Sequence, residues 1–143
     1  MSFIYNKAKV KLLNGTLDLD GHDIRVLLVT PNTTANVEDD KEFLSQFMVL
    51  GEFSGSGYSR KALTNESVSE DLPNDRAEFH ADDVTWTGLG GGGTVKAAIV
   101  YRHVTNDSDS VPIAYIDTGG FPHVANGSDL TIQWHAEGIL QLA

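Results

Sequence analysis

The chain has 143 residues, a formal net charge of −10, 41% apolar and 21% charged side chains, and no cysteine. A chain of this length is expected to fold as one domain and to bury about 68–70% of its unfolded surface, and its balance of apolar and charged residues argues against disorder of the bulk. Disulfides, thiol nucleophiles and cysteine-based zinc sites are excluded too, and ten Lys and Arg scattered among twenty acids give no basic patch for DNA or RNA.

No stretch approaches the roughly 20 apolar residues of a membrane span, and the first residues lack the apolar run of a signal peptide. Folding in a cytoplasm is the expectation.

In chain order, Lys7–Leu13 alternates charged and apolar residues. That period of two predicts a strand with Ala8, Val10 and Leu12 inward, a short helix being the alternative. Asn14-Gly15 signals a tight turn. Asp23–Thr30 is a nearly continuous apolar run, expected as a buried strand that Pro31 and Asn32 stop. The segment from Thr34 or Asn36 to Leu50 is the best helix candidate. Glu38, Asp39 and Asp40 would sit in its first turn, Phe43, Phe47 and Leu50 would share one face, and Gly51 would end it.

Beyond Gly51 the pattern is strands and turns. Short strands are expected at Ser59–Leu63, Ser67–Leu72 and Arg76–Ala81. Val84 and Trp86 would continue the last of these after a bulge at Asp82-Asp83. Gly88–Gly93 reads as a loop, Thr94–Tyr101 as the central strand and Thr105–Ser110 as an exposed turn. Val111–Asp117, Leu130–His135 and Gly138–Ala143 read as further strands. The expectation is a mainly β fold, an antiparallel β-sandwich or jelly-roll-like domain with one short helix, spanning residues 1–143.

No catalytic pattern stands out. Gly90–Gly93 lacks the Gly-Lys-Ser/Thr ending and the following helix of a phosphate loop. His22, His80, His103, His123 and His135 form none of the usual metal-ligand spacings. Asp18, Asp20 and Asp23, like Asp107 and Asp109, lack calcium-loop spacing; a surface Ca²⁺ held between turns is the one metal reading kept, and no other cofactor is expected. Asp82 and Asp83 are adjacent, so in a strand they face opposite sides. Ser56 lacks the glycine spacing of a nucleophile elbow. Trp86, Trp134, Tyr58 and Tyr101 could form a sugar-binding surface. Trp86 alternates with Val84, however, and Tyr101 with Ile99 and Ala97, which places both in a core.

Several segments occur in a telling order: Asn14–Asp20 leading to Ile24–Leu28, Glu52–Gly55 with Gly57-Tyr58, Phe79–Trp86, Ala97–Tyr101, Pro112–Asp117 and Ile132–Leu140. Together they resemble a family of virion proteins of tailed bacteriophages, seen as capsid decoration or cement-like proteins. The resemblance implies a structural protein rather than an enzyme, made in the host cytoplasm and placed on the capsid surface of the virion. It implies a homo-oligomer, most simply a trimer, with the major capsid protein as partner and neither nucleic acid nor membrane bound. Candidate assembly contacts are the apolar chain ends, Phe3, Ile4, Ile139, Leu140 and Leu142, and the basic arm Lys7, Lys9 and Lys11. The alternative reading is a tail or fibre module that binds a host-surface glycan.

Overall fold

The structure, a computed structural model, describes residues 2–143; Met1 lies outside the described residues. In chain order the strands are β1 (Phe3–Ile4), β2 (Ile24–Val29), β3 (Lys61–Ala62), β4 (Ser67–Asp71), β5 (Arg76–His80) and β6 (Val84–Trp86), then β7 (Gly90–Val95), β8 (Ala97–Arg102), β9 (Val111–Ile116), β10 (His123–Asn126), β11 (Leu130–Ile132) and β12 (Leu140–Leu142). One helix, α1 (Asn6–Leu13), follows β1. The protein is mainly β, with antiparallel sheets and one short helix.

The two long apolar runs lie side by side at the centre. β2 pairs with β8 through six register positions, from Ile24 opposite Arg102 to Val29 opposite Ala97. β9 and β1 extend this sheet on one side and β3 on the other, in the order β1-β9-β8-β2-β3. Ala97 through Tyr101 are all 0% exposed. A strand covered on one face only would alternate between buried and wet. β8 does not alternate, so both faces of the sheet are covered at its centre.

One cover is the N-terminal region. α1 packs against β9, and the Tyr5 ring meets the rings of Phe3 and Phe47 while its hydroxyl donates to the Ala35 carbonyl at 2.9 Å. Three smaller antiparallel sheets, β12-β5-β4, β11-β6 and β10-β7, complete a sandwich-like arrangement. Their Phe79, Trp86, Leu130, Ile132 and Leu140 belong to the same continuous apolar cluster as β2 and β8.

Four local expectations are corrected. Lys7–Leu13 is the helix α1 and not a strand. Ala, Lys and Leu favour helix intrinsically, and only Ala8 of this stretch is fully buried, so nothing rewards an alternating inward row. Asn14-Gly15 is then the helix stop. Thr16 N–H donates to the Lys11 carbonyl and Gly15 N–H to the Leu12 carbonyl, with Gly15 at φ +77°, the pattern of a Schellman end.

The expected helix from Thr34 to Leu50 is absent apart from a single 3-10 turn at Leu44–Gln46. Its polar residues bond the loop to itself instead. Thr34 Oγ1 donates to Glu38 Oε2, which also accepts Met48 N–H at 2.9 Å; the Gln46 amide oxygen accepts from the N–H groups of Glu42 and Phe43. Side chains of this type compete with helical backbone bonds.

The glycine run forms strand β7, paired with β10, and not a loop. A Cβ on Gly92 would fall 2.4 Å from the Phe53 ring, so the missing side chain is what lets Phe53 pack against this strand. Finally, Asp82-Asp83 is a corner between sheets and not a bulge within one. β5 pairs with β4 and β12, whereas β6 pairs with β11.

Candidate assembly surface

The two ends of the chain meet. β1 is the outer strand of the five-stranded sheet, with Phe3 opposite Tyr115 and Ile4 opposite Ala114. Tyr5 N–H donates to the Ile113 carbonyl at 2.9 Å. Antiparallel alternation therefore turns the N–H and C=O of Ile4 away from β9, toward the open edge. β12 is the outer strand of the three-stranded sheet, with Leu140 opposite Phe79. A groove of about 240 Å³ lies between these two edges, lined by Phe3, Ile4, Tyr115, Ile116, Ile139 and Leu140 among others. A second hollow of about 230 Å³ shares Ser2, Ile116, Gly138 and Ile139 with it and adds Trp134.

Four of the eight candidate contacts named from the sequence thus line one groove: Phe3, Ile4, Ile139 and Leu140. They do not contribute equally. Leu140 is only 7% exposed, and Phe3 stacks on Tyr115 with ring centroids 5.5 Å apart. Both are largely used by the protein's own core. Ile4 and Ile139 are half-buried and carry the open part of the lining. Leu142 lies at the end of β12 and is 48% exposed. The basic arm sits elsewhere, on α1. Lys7 and Lys9 are exposed, while Lys11 Nζ is 3.1 Å from Glu42 Oε1 and so is already paired.

The four aromatics do not make a common surface. Trp86 is fully buried and donates its indole N–H to the Ser59 carbonyl at 2.7 Å. Tyr101 is fully buried under the Arg60 guanidinium, 5.4 Å from its ring centroid. Tyr58 stacks on Trp86 and gives its hydroxyl to Glu52. Burial, with the Glu52 carboxylate beside it, pushes the Tyr58 hydroxyl well above its ordinary range. Trp134 alone stays half-buried beside a hollow. Its indole N–H donates to the Asp82 carbonyl and its backbone N–H to Asp83 Oδ1, which fixes the ring.

A polar knot escaped sequence reading altogether. Arg60 reaches Glu52 at 2.7 and 2.9 Å and Asp107 at 2.6 and 3.1 Å. Its hydrogen bonds to Glu52 raise the guanidinium pKa. The knot ties the segment leading into β3 to the loop between β8 and β9. Its partners lie 8 and 47 residues from Arg60, so no local pattern announces it.

The acidic turns close on themselves. Asp18 Oδ1 accepts Gly21 N–H, Asp23 pairs with Arg25, and Asp109 Oδ1 accepts the N–H groups of Thr105 and Asn106. Those backbone N–H groups hold the Asp109 carboxyl below the usual carboxylate range. His80 Nε2 is 2.9 Å from Glu78 Oε2. Among the described residues no three His, Asp or Glu side chains gather as a metal site, and no helix is long and apolar enough to cross a membrane.

Comparison with protein-family models, with curated proteins and with solved structures finds no match for this chain.

Proposed function

We propose that this is a structural virion protein that binds the outside of a tailed-phage capsid and stabilises it, as a decoration or cement protein. The observation that carries the reading is the groove between the two sheet edges, where both chain ends converge. An edge strand with outward main-chain groups, beside an apolar trough, suits the addition of an extended segment from another protein. The major capsid protein is the partner in this reading. The order of segments along the chain supports it. So does the charge of −10, which favours solubility before the protein meets a shell. No residue is assigned a catalytic role, and no nucleic acid, membrane or cofactor takes part.

The second reading, a tail or fibre module for a host-surface glycan, is favoured by one feature. Trp134 is half-buried, pinned by two hydrogen bonds, and borders a hollow that Gln133 and His135 also line. Such a ring is a platform on which a sugar can stack.

The test is co-sedimentation of the purified protein with phage particles that lack it. The shell reading predicts saturable binding at a fixed ratio to capsid subunits, weakened at least tenfold by Ile4→Asp or Ile139→Asp. Retention on host cells that is lost with Trp134→Ala, without binding to particles, would replace it with the glycan reading.

A further inference from the structure

The β4–β5 hairpin carries the apolar face of its sheet out beyond the protein's own core. Across β4, β5 and β12, Val68, Phe79 and Leu140 form one row, and Glu70, Ala77 and Leu142 the next row on the same face. Phe79 and Leu140 are buried at 2% and 7% exposure, but Val68 and Leu142 are left at 49% and 48%. Leu72, in the turn that follows β4, is 70% exposed. The hairpin is also acidic. Residues 66–80 contain Glu66, Glu70, Asp71, Asp75 and Glu78 against Arg76 alone. Arg76 is already committed to Asp71, Glu78 and Glu137 at 2.9–3.3 Å. Glu66, Glu70 and Asp75 have no ion-pair partner among the described residues.

α1 presents the opposite character. It contains Lys7, Lys9 and Lys11 and no acid. Val10 and Leu13 are helix neighbours at spacing three, Lys9 lies beside Leu13 at spacing four and Lys7 beside Val10 at spacing three, so the two lysines flank the apolar pair from opposite sides. Val10 is 56% and Leu13 87% exposed. Within one molecule α1 packs on β9, while among the described residues β4 pairs with β5 alone.

We propose that the β4–β5 hairpin of one copy docks on the α1 face of a second copy. Val68, Leu72 and Leu142 meet Val10 and Leu13, and Glu66 and Glu70 meet Lys7 and Lys9. The occupant is another copy of this chain because each surface offers both halves of what the other lacks: exposed apolar side chains, and charge of opposite sign. The apolar contact supplies affinity and the charges fix partner and register. The two surfaces differ, so the contact is head-to-tail, and a head-to-tail contact closes into a ring when its rotation permits. It specifies the subunit contact of the homo-oligomer in the shell reading, yet it needs only a second copy and no shell.

Sedimentation velocity of the purified protein tests it. Wild type is expected to sediment as a closed multiple of the 15.5 kDa chain, and to dissociate more readily as salt is raised. Lys7→Glu with Lys9→Glu, and separately Glu66→Lys with Glu70→Lys, should each weaken association at least tenfold. All four changes in one chain should restore it. The circular dichroism melts of all variants should match wild type under conditions where each is monomeric, because every substituted side chain lies outside the core. A 15.5 kDa monomer at all concentrations overturns the contact, as does association untouched by either reversal or not restored by the fourfold swap. The two proposals fail separately. A salt-sensitive oligomer that ignores particles defeats the shell reading alone, and a monomer that binds particles defeats this contact alone.

Discussion

β8 and β4 are strands of six and five residues in the same protein, and they are built on opposite terms. β8 has a strand on each side and cover on both faces, and Ala97 through Tyr101 are fully buried. β4 is an edge strand whose first four residues, Ser67–Glu70, are all exposed. The central sheet holds the fold, and the hairpin is available to something else. Burying a large apolar side chain stabilises by about 1.5–3 kcal/mol, so leaving Val68, Leu72 and Leu142 out gives up stabilisation that a partner can recover.

Substitution sharpens this contrast. Trp86→Ala removes a fully buried ring stacked beside Tyr58 and leaves the Ser59 carbonyl without its indole donor. It should cost about 3–5 kcal/mol, read from urea unfolding of the monomer. Val68→Ala on the hairpin should stay within about 0.5 kcal/mol in the same assay while weakening self-association. Equal costs at the two sites would erase the distinction between frame and arm.

A smaller effect concerns pH, and the loops and the core show it. The Thr34 hydroxyl, then the Met48 N–H and Lys41, holds the Glu38 carboxyl below its ordinary range, and Arg25 does the same for Asp23. Carboxyls depressed in the folded state contribute stability that is present above the unfolded-chain values of about 4 and is lost as pH falls through the folded ones. Burial pushes the Tyr115 hydroxyl up to about 12. That contribution is full below the unfolded tyrosine value of about 10 and fades as pH rises through the folded one. Melting temperature should therefore form a plateau near neutrality that falls away below about pH 4 and above about pH 10. Glu38→Gln should lower the plateau slightly and soften its acid edge. An acid edge unchanged by that substitution would show that the loop bonds of Glu38 add nothing to stability.

The frame was legible in the sequence and the arm was not. Asp23–Thr30 and Thr94–Tyr101 announce buried strands because apolar, β-branched runs of that length have few other fates, although Thr94 and Val95 belong to β7 and the central strand starts at Ala97; Trp86 and Tyr101 share a face with known apolar neighbours. Lys7–Leu13 misleads because an alternating row means a strand only when a sheet waits to receive it, whereas here the helix caps the sheet. The segment 34–50 misleads because its helix signals, Thr34 and Glu38, bond to the loop itself. The glycine run hides a strand because the side chain that explains it, Phe53, lies 39 residues from Gly92. The convergence of Phe3 and Ile4 with Ile139 and Leu140 is a property of topology, invisible until β1 pairs with β9 and β12 with β5. The exposure of Val68 and Leu72 is likewise a fact about where the core stops.

The shell reading is tested most directly by heating. Particles with and without the protein are warmed in parallel, and the release of DNA is followed by the fluorescence of an intercalating dye. A subunit that binds the assembled shell and not its free subunits stabilises by mass action, and many weak copies sum to a large effect. Particles lacking the protein should assemble with normal geometry and release their DNA at a distinctly lower temperature, and adding the purified protein back should restore the higher one. Superimposable release curves, with and without the protein, would contradict a role in stabilising the capsid.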